Sequence, residues 1–121
     1  MVPKPGEVYW ASERQGERRH RYIVVSHEAF NRGEYVTAVP TTSDRFYERA
    51  KKKNCVVFNK NAFGGCFAEQ CVAQAEAIVT VQKSELQLHT GPLGTLSKEK
   101  MRELIGSIGY VIAAICEPQS D

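Results

Sequence analysis

Two short apolar runs, separated by a turn, constrain the fold of this chain more than any other feature. The first run extends from Tyr22 to Val25, directly after a basic cluster, and the second covers residues 35–39. Both runs are rich in β-branched and aromatic residues, which favour strands. They predict one strand over residues 21–27, buried on both faces, and another over residues 34–40 that Pro40 ends.

The rest of the sequence predicts further short strands and one long helix. Strands are expected over residues 6–11 and 55–58, with one or two more within 71–81. Ser97 is a good N-cap for a closing helix. The apolar residues after it repeat every three or four positions, at Met101, Leu104, Ile105, Ile108, Val111, Ile112 and Ile115. The pattern predicts an α+β, mainly β fold, a small antiparallel barrel with a C-terminal helix.

Length and composition indicate a single domain over residues 1–121. The apolar fraction of 42% is ordinary for a globular chain of 121 residues. No apolar stretch approaches the ~20 residues of a membrane-spanning helix, and the first residues do not resemble a signal peptide. We therefore expect a cytoplasmic protein without membrane contact.

The four cysteines do not have the spacing of a zinc site. Cys66 and Cys71 are too far apart for a Cys-x-x-Cys knuckle, and Cys55 and Cys116 are scattered. A reducing compartment keeps such residues as thiols. We expect free, packed cysteines, no metal site and no cofactor.

Charge is distributed unevenly along the chain. Residues 1–60 carry twelve Lys and Arg against seven Asp and Glu, whereas residues 61–121 carry four against seven. The basic half contains the two apolar runs, and its excess suggests an anionic partner. A solvated charged surface explains the same numbers.

Cationic and hydroxyl groups flank the ends of the two predicted strands. The basic cluster of residues 18–21 precedes the first strand, and Thr41, Thr42 and Ser43 follow Pro40. If the strands pair, these groups meet at one end of a sheet. Such an arrangement can hold a phosphate beside a proton-transfer group.

Several segments, in this order, resemble the MazF and PemK family of toxins, whose fold is an SH3-like barrel shared with CcdB. They cover residues 4–10, 22–26, 39–43, 78–86 and 94–97. The resemblance implies a homodimeric endoribonuclease that cuts single-stranded RNA without metal and is inhibited by a cognate antitoxin. In this reaction a ribose 2′-hydroxyl attacks the adjacent phosphate.

The resemblance also implies roles for individual residues. In the family, an arginine before the second strand and a threonine at the end of the third are catalytic, and Thr42 matches the threonine. The family's Arg-Pro pair falls on His20 and Arg21. Either the arginine role moves to Arg21 or Arg19, or His20 takes the proton-transfer role. The predicted catalytic residues are His20, Arg21 and Thr42.

Neighbouring cations and hydroxyls are expected to bind the RNA. Cations meet phosphates, and the rings of Phe46 and Tyr47 lie between them in sequence and can stack on bases. The predicted RNA-binding residues are Arg18, Arg19, Ser43, Lys51, Lys52 and Lys53.

Polar positions of the family are lost in the segment after residue 76. Ala77 and Val79 stand where the family has Gln and Arg, Gln82 where it has Asp, and Glu85 where it has a later Arg. These departures motivate an alternative hypothesis, a non-catalytic binding module on the same barrel. Such a module is a gyrase-poison-like protein or a degenerate toxin.

Overall fold

A computed structural model describes residues 1–11 and 20–116, with side chains as far as residue 112. Within these ranges the strands are β1 Glu7–Trp10, β2 Arg21–Val24, β3 Tyr35–Thr42, β4 Cys55–Phe58, β5 Cys71–Gln74, β6 Val79–Gln82 and β7 Gly94–Thr95. The helical segments of four residues or more are α1 Glu28–Asn31, α2 Phe46–Arg49, α3 Ala62–Gly65 and α4 Lys98–Cys116. Of these, α3 is a left-handed turn, since Phe63 and Gly64 have φ values of 54° and 77°. Among the described residues, no helix is both long enough and apolar enough to cross a bilayer.

The strands form one curled antiparallel sheet. Its order is β4-β5-β3-β2-β1-β7, and β6 pairs with β3 outside this path. One edge of β3 changes partner along its length, since β6 lies against residues 35–38 and β5 lies against Thr41 and Thr42. The sheet is thereby a half-barrel that α4 closes. The predicted mainly β, antiparallel barrel with a C-terminal helix is confirmed.

The prediction that Pro40 ends its strand is wrong. β3 continues through Pro40 to Thr42 and gains two further pairs, Thr41 with Ala73 and Thr42 with Val72. Pro40 lies between the part of β3 that pairs with β6 and the part that pairs with β5. Proline has no amide hydrogen to donate, and a strand tolerates it where its edge changes partner.

β2 is shorter than the predicted range 21–27 and ends at Val24. The side chain of Ser26 stabilises the turn that follows β2, because its hydroxyl donates to Asn31 Oδ1 and accepts from the Thr37 amide. The buried Asn31 amide group in turn donates to the carbonyls of Pro3 and Ser26. Of the β2 residues, Ile23 and Val24 are fully buried, whereas the first two are only half-buried.

The main core lies between the sheet and α4. Leu104 and Ile108 of the helix pack against a buried cluster that includes Ile23, Val39 and Phe58. Full burial of such side chains contributes about 1.5–3 kcal/mol each. A second cluster on the other side of the sheet contains Tyr9, Val24, Val36, Val81 and Leu86.

The closing helix begins where the sequence predicts. The hydroxyl of Ser97 accepts a hydrogen bond from the Lys100 amide at 3.2 Å. Of the apolar stripe, Leu104 and Ile108 are buried, whereas Ile105 and Ile112 are 48% and 55% exposed. Part of the apolar stripe of α4 is therefore not covered by the barrel and stays exposed.

Two glycines, Gly94 in β7 and Gly106 in α4, differ in how closely the rest of the barrel packs on them. A Cβ added at Gly94 would lie 2.5 Å from the carbonyl oxygen of Phe63, whereas at Gly106 it would meet nothing within 4 Å. We expect Gly94→Ala to lower the free energy of unfolding by about 1–3 kcal/mol. We expect Gly106→Ala to raise it by about 1 kcal/mol, since alanine favours helix interiors. Urea unfolding followed by circular dichroism measures both free energies of unfolding. Equal effects of the two substitutions would contradict the close contact at Gly94.

Candidate active site

A cavity of about 380 Å³ opens where the ends of four strands meet, and we call it the strand-end cavity. It lies beside the last residues of β1 and β3 and the first residues of β2 and β5. The antiparallel register explains this, because Tyr22 pairs with Pro40 and Thr42 pairs with Val72. Its lining comprises Trp10, His20, Arg21, Thr41, Thr42, Ser43, Ala68, Glu69 and Cys71. Four residues singled out from the sequence, at positions 20, 21, 42 and 43, therefore share one cavity.

The Arg21 side chain is held against an aromatic ring. Its Cζ lies 4.1 Å from the centroid of the Trp10 ring, a cation–π contact that fixes the plane of the guanidinium. Its Nε is buried and has no hydrogen-bond acceptor among the described residues. A buried donor without an acceptor is costly. An acceptor oxygen from a bound anion would satisfy it, and the planar guanidinium matches phosphate well.

His20 is oriented by the backbone of β3. Its Nδ1 lies 3.3 Å from the carbonyl oxygen of Thr41, and the ring is half-buried. In the tautomer that carries its proton on Nδ1, the ring donates to that oxygen. The Nε2 atom is then left to exchange a proton with a ligand.

The two threonines at the end of β3 have different environments. Thr41 is buried, and its hydroxyl donates to the carbonyl oxygen of Arg21 at 3.2 Å. Thr42 is half-buried, and its Oγ1 accepts from the Asp44 amide at 3.1 Å. This leaves the Thr42 hydroxyl hydrogen without an acceptor among the described residues. Thr42, rather than Thr41, can therefore donate to a ligand.

Glu69 is a residue of the cavity that the sequence analysis missed. It precedes β5 and is exposed. The only sequence signal was its position just before a predicted strand. That signal does not show that this strand pairs with the end of β3. The described lining therefore contains the guanidinium of Arg21, the carboxylate of Glu69 and the imidazole of His20.

Cys71 is a buried thiol at the edge of the same cavity. Burial raises its pKa from an ordinary value of 9.0 to about 11, although the Arg21 guanidinium acts in the opposite direction. Burial likewise raises the pKa of Cys66 to about 11. Both residues, and Cys55, are free cysteines, as the sequence predicted. A thiol with such a pKa stays protonated at neutral pH and is a poor nucleophile.

The predicted RNA-binding cations lie elsewhere or outside the described residues. Lys51, Lys52 and Lys53 are exposed in the turn before β4 and do not line the strand-end cavity. Lys53 instead faces α4, where its Nζ lies 5.9 Å from the Tyr110 ring centroid. Arg18 and Arg19 fall outside the described residues.

The positions that depart from the family pattern are not in the cavity. Val79 and Gln82 lie on β6, which pairs with the beginning of β3 rather than with its end. Neither they nor Ala77 and Glu85 line the strand-end cavity. Their replacement therefore removes no group from the described lining of this cavity.

A protein metal site usually needs several His, Cys, Asp or Glu side chains close together. In the described part of the chain, no group of three or more such side chains is arranged to hold a metal ion.

The fold and the cavity define a small antiparallel barrel that carries a polar site at its strand ends. A family model described as PemK-like, MazF-like toxin of type II toxin–antitoxin system matches residues 4–112. The chain belongs to this family of toxins, which confirms the resemblance found in the sequence. No curated protein sequence matches the chain closely enough to count as a relative.

Solved structures show the same fold at low sequence identity. A mycobacterial endoribonuclease in complex with its cognate antitoxin has a TM-score of 0.72 and 22% identity, with 98% of this chain and 100% of that chain covered. The MazE–MazF complex of Deinococcus radiodurans gives 0.71 and 19%, with 93% and 98% covered. The Mycobacterium tuberculosis toxin MazF-mt6 gives 0.69 and 14%, with 88% and 95% covered.

Proposed function

We propose that this toxin is an endoribonuclease that cleaves single-stranded RNA in the strand-end cavity, without a metal ion. The observation that carries the proposal is the buried Nε of Arg21, which has no acceptor among the described residues and lies beside an imidazole and a carboxylate in one cavity. A phosphate oxygen supplies the acceptor that this nitrogen lacks. The family and the structural neighbours support a nuclease rather than another anion-binding function.

The reaction needs one base, one acid and one cation. The ribose 2′-oxygen forms a bond to phosphorus, and the bond from phosphorus to the 5′-oxygen of the next nucleotide breaks. The products are a 2′,3′-cyclic phosphate and a 5′-hydroxyl end. The 2′-hydroxyl loses a proton to the base, and the leaving 5′-oxygen gains one from the acid.

The cavity residues are suited to these three roles. An ionised carboxylate only accepts a proton, so Glu69 is the proposed base, and a protonated His20 is the proposed acid. The Arg21 guanidinium stabilises the negative charge that builds on the phosphoryl oxygens, and the Thr42 hydroxyl donates to one of them. Ser43 binds the phosphate from the exposed side of the cavity.

We further propose that the toxin is a cytoplasmic homodimer inhibited by a cognate antitoxin. Two of the neighbouring structures are described as complexes with an antitoxin. An acidic segment of the antitoxin would compete with RNA for Arg21 and fold on binding. The exposed Ile105 and Ile112 of α4 are the candidate dimer contacts.

Digestion of unstructured RNA in EDTA tests the proposed function directly. We expect wild-type protein to cut such RNA with excess EDTA present, and mapping of the ends should find 2′,3′-cyclic phosphates. Intact RNA after incubation with folded protein at micromolar concentration would overturn the proposal. Cleavage that EDTA abolishes would overturn its metal-free chemistry.

A further inference from the structure

A second cavity adjoins the proposed active site, and we call it the loop cavity. It has a volume of about 520 Å³ and shares Ser43 and Glu69 with the strand-end cavity. The rest of its described lining comes from the segment 45–48 around α2 and from Gln70, next to β5. An RNA strand bound with one phosphate in the strand-end cavity would therefore extend directly into the loop cavity.

The loop cavity presents an aromatic ring to solvent. Tyr47 is 75% exposed. Its ring makes an edge-to-face contact with the ring of Phe46, with centroids 5.4 Å apart and an interplanar angle of 81°. Phe46 is half-buried, so it anchors the pair. Arg49 steadies the same loop, because its Nη1 donates to the Asp44 carbonyl at 2.8 Å. An exposed, braced ring is a platform on which a nucleic-acid base can stack.

The charges of the loop cavity favour a base over a second phosphate. Its described lining contains two carboxylates, Glu48 and Glu69, and one guanidinium, Arg45. An excess of negative charge repels phosphate, whereas carboxylate oxygens accept hydrogen bonds from base amino groups. Of the two carboxylates, Glu48 belongs to the loop cavity and not to the strand-end cavity.

We propose that the loop cavity binds the base of a nucleotide next to the scissile phosphate and selects guanine. The base stacks on Tyr47, and its N1–H and N2 amino group donate to the two oxygens of Glu48. Guanine is the RNA base that offers two adjacent donors on its Watson–Crick edge, which matches a carboxylate. Uracil offers a single donor between two carbonyl oxygens, which a carboxylate repels. This proposal rests on the proposed nuclease function and gives that site its sequence preference.

Cut-site sequencing of a randomised single-stranded RNA pool tests the preference. We expect wild-type protein to enrich guanine at one position beside the cut. Tyr47→Ala and Glu48→Gln should each reduce that enrichment about tenfold, whereas Tyr47→Phe should keep it. Tyr35→Ala is the matched control, since Tyr35 is 49% exposed and lies outside both cavities. Wild-type enrichment of uracil at both flanking positions, or variants with an unchanged profile, would overturn the proposal.

A binding measurement separates this proposal from the nuclease function. Oligonucleotides with a 2′-deoxy residue at the scissile position cannot be cut, and their affinity is measured by fluorescence anisotropy. We expect a guanine-flanked oligonucleotide to bind about tenfold more tightly than a uracil-flanked one, and Glu48→Gln to remove the difference. This outcome would support the base site even if cleavage of natural RNA failed. Equal affinities for the two oligonucleotides would overturn it even if cleavage succeeded.

Discussion

Arg21→Ala is expected to lower kcat/KM for RNA cleavage by about a thousandfold or more. The guanidinium is the cation that the strand-end cavity offers to the phosphate, and its Nε is buried without an acceptor among the described residues. Loss of one such preorganised donor costs other enzymes about a hundredfold to a thousandfold. Loss of a full charge that also positions the phosphate should cost at least the upper value. Initial rates on a short fluorogenic RNA measure the effect.

Two further arginine variants make this result specific. Arg21→Lys keeps the charge but not the planar fork that lies on Trp10, so we expect little recovery of rate. Arg32→Ala removes an exposed charge at the end of α1, away from both cavities, and should leave the rate unchanged. Thermal unfolding of each variant shows whether the fold is intact. A folded Arg21→Ala protein with near wild-type kcat/KM would remove the physical basis of the proposed mechanism.

His20→Ala is expected to lower kcat by about a hundredfold to ten-thousandfold. This is the range that one positioned proton-transfer group contributes. Because the protonated imidazole is the proposed acid for the leaving 5′-oxygen, the loss should be much smaller on an RNA whose scissile 5′-oxygen is replaced by sulfur, since a thiolate leaves without a proton. Initial rates of the wild-type and His20→Ala proteins on the two RNAs give both quantities.

Comparison with two other variants identifies what His20 contributes. His89→Ala removes an exposed imidazole of a turn outside the site and should leave both rates unchanged. Glu69→Gln should lower kcat on both RNAs, since Glu69 is the proposed base and acts on the 2′-hydroxyl rather than on the leaving group. An equal loss for His20→Ala on the two RNAs would show that another group is the acid.

Much of the barrel was predictable because its signals are local in sequence. The four residues Cys55–Phe58 form a strand as predicted, and Ser97 caps the long helix as predicted. The grouping of His20, Arg21 and Thr42 was also predictable, because adjacent antiparallel strands bring their flanking residues to the same end. Each of these expectations depends on only one or two neighbouring segments.

The remainder depends on contacts between segments far apart in the chain. Glu69 reaches the site because β5 pairs with the last two residues of β3, and no local pattern specifies that pairing. For the same reason, the extension of β3 beyond Pro40 could not be predicted from proline chemistry alone. Lys53 was assigned to RNA by charge, but its distance from the cavity depends on how the turn before β4 packs on α4.

The partner change along β3 has a consequence for how this toxin can lose its activity. Thr41 and Thr42 sit on the segment that joins both halves of the barrel, since β3 pairs with β2, β5 and β6. Because β3 joins strands of both parts of the sheet, we expect its amide hydrogens to exchange with deuterium more slowly than those of β7, which pairs with β1 alone. An active site at the end of β3, as proposed, stays assembled as long as the sheet does, so its inhibition requires a partner that covers the cavity or degradation of the whole protein.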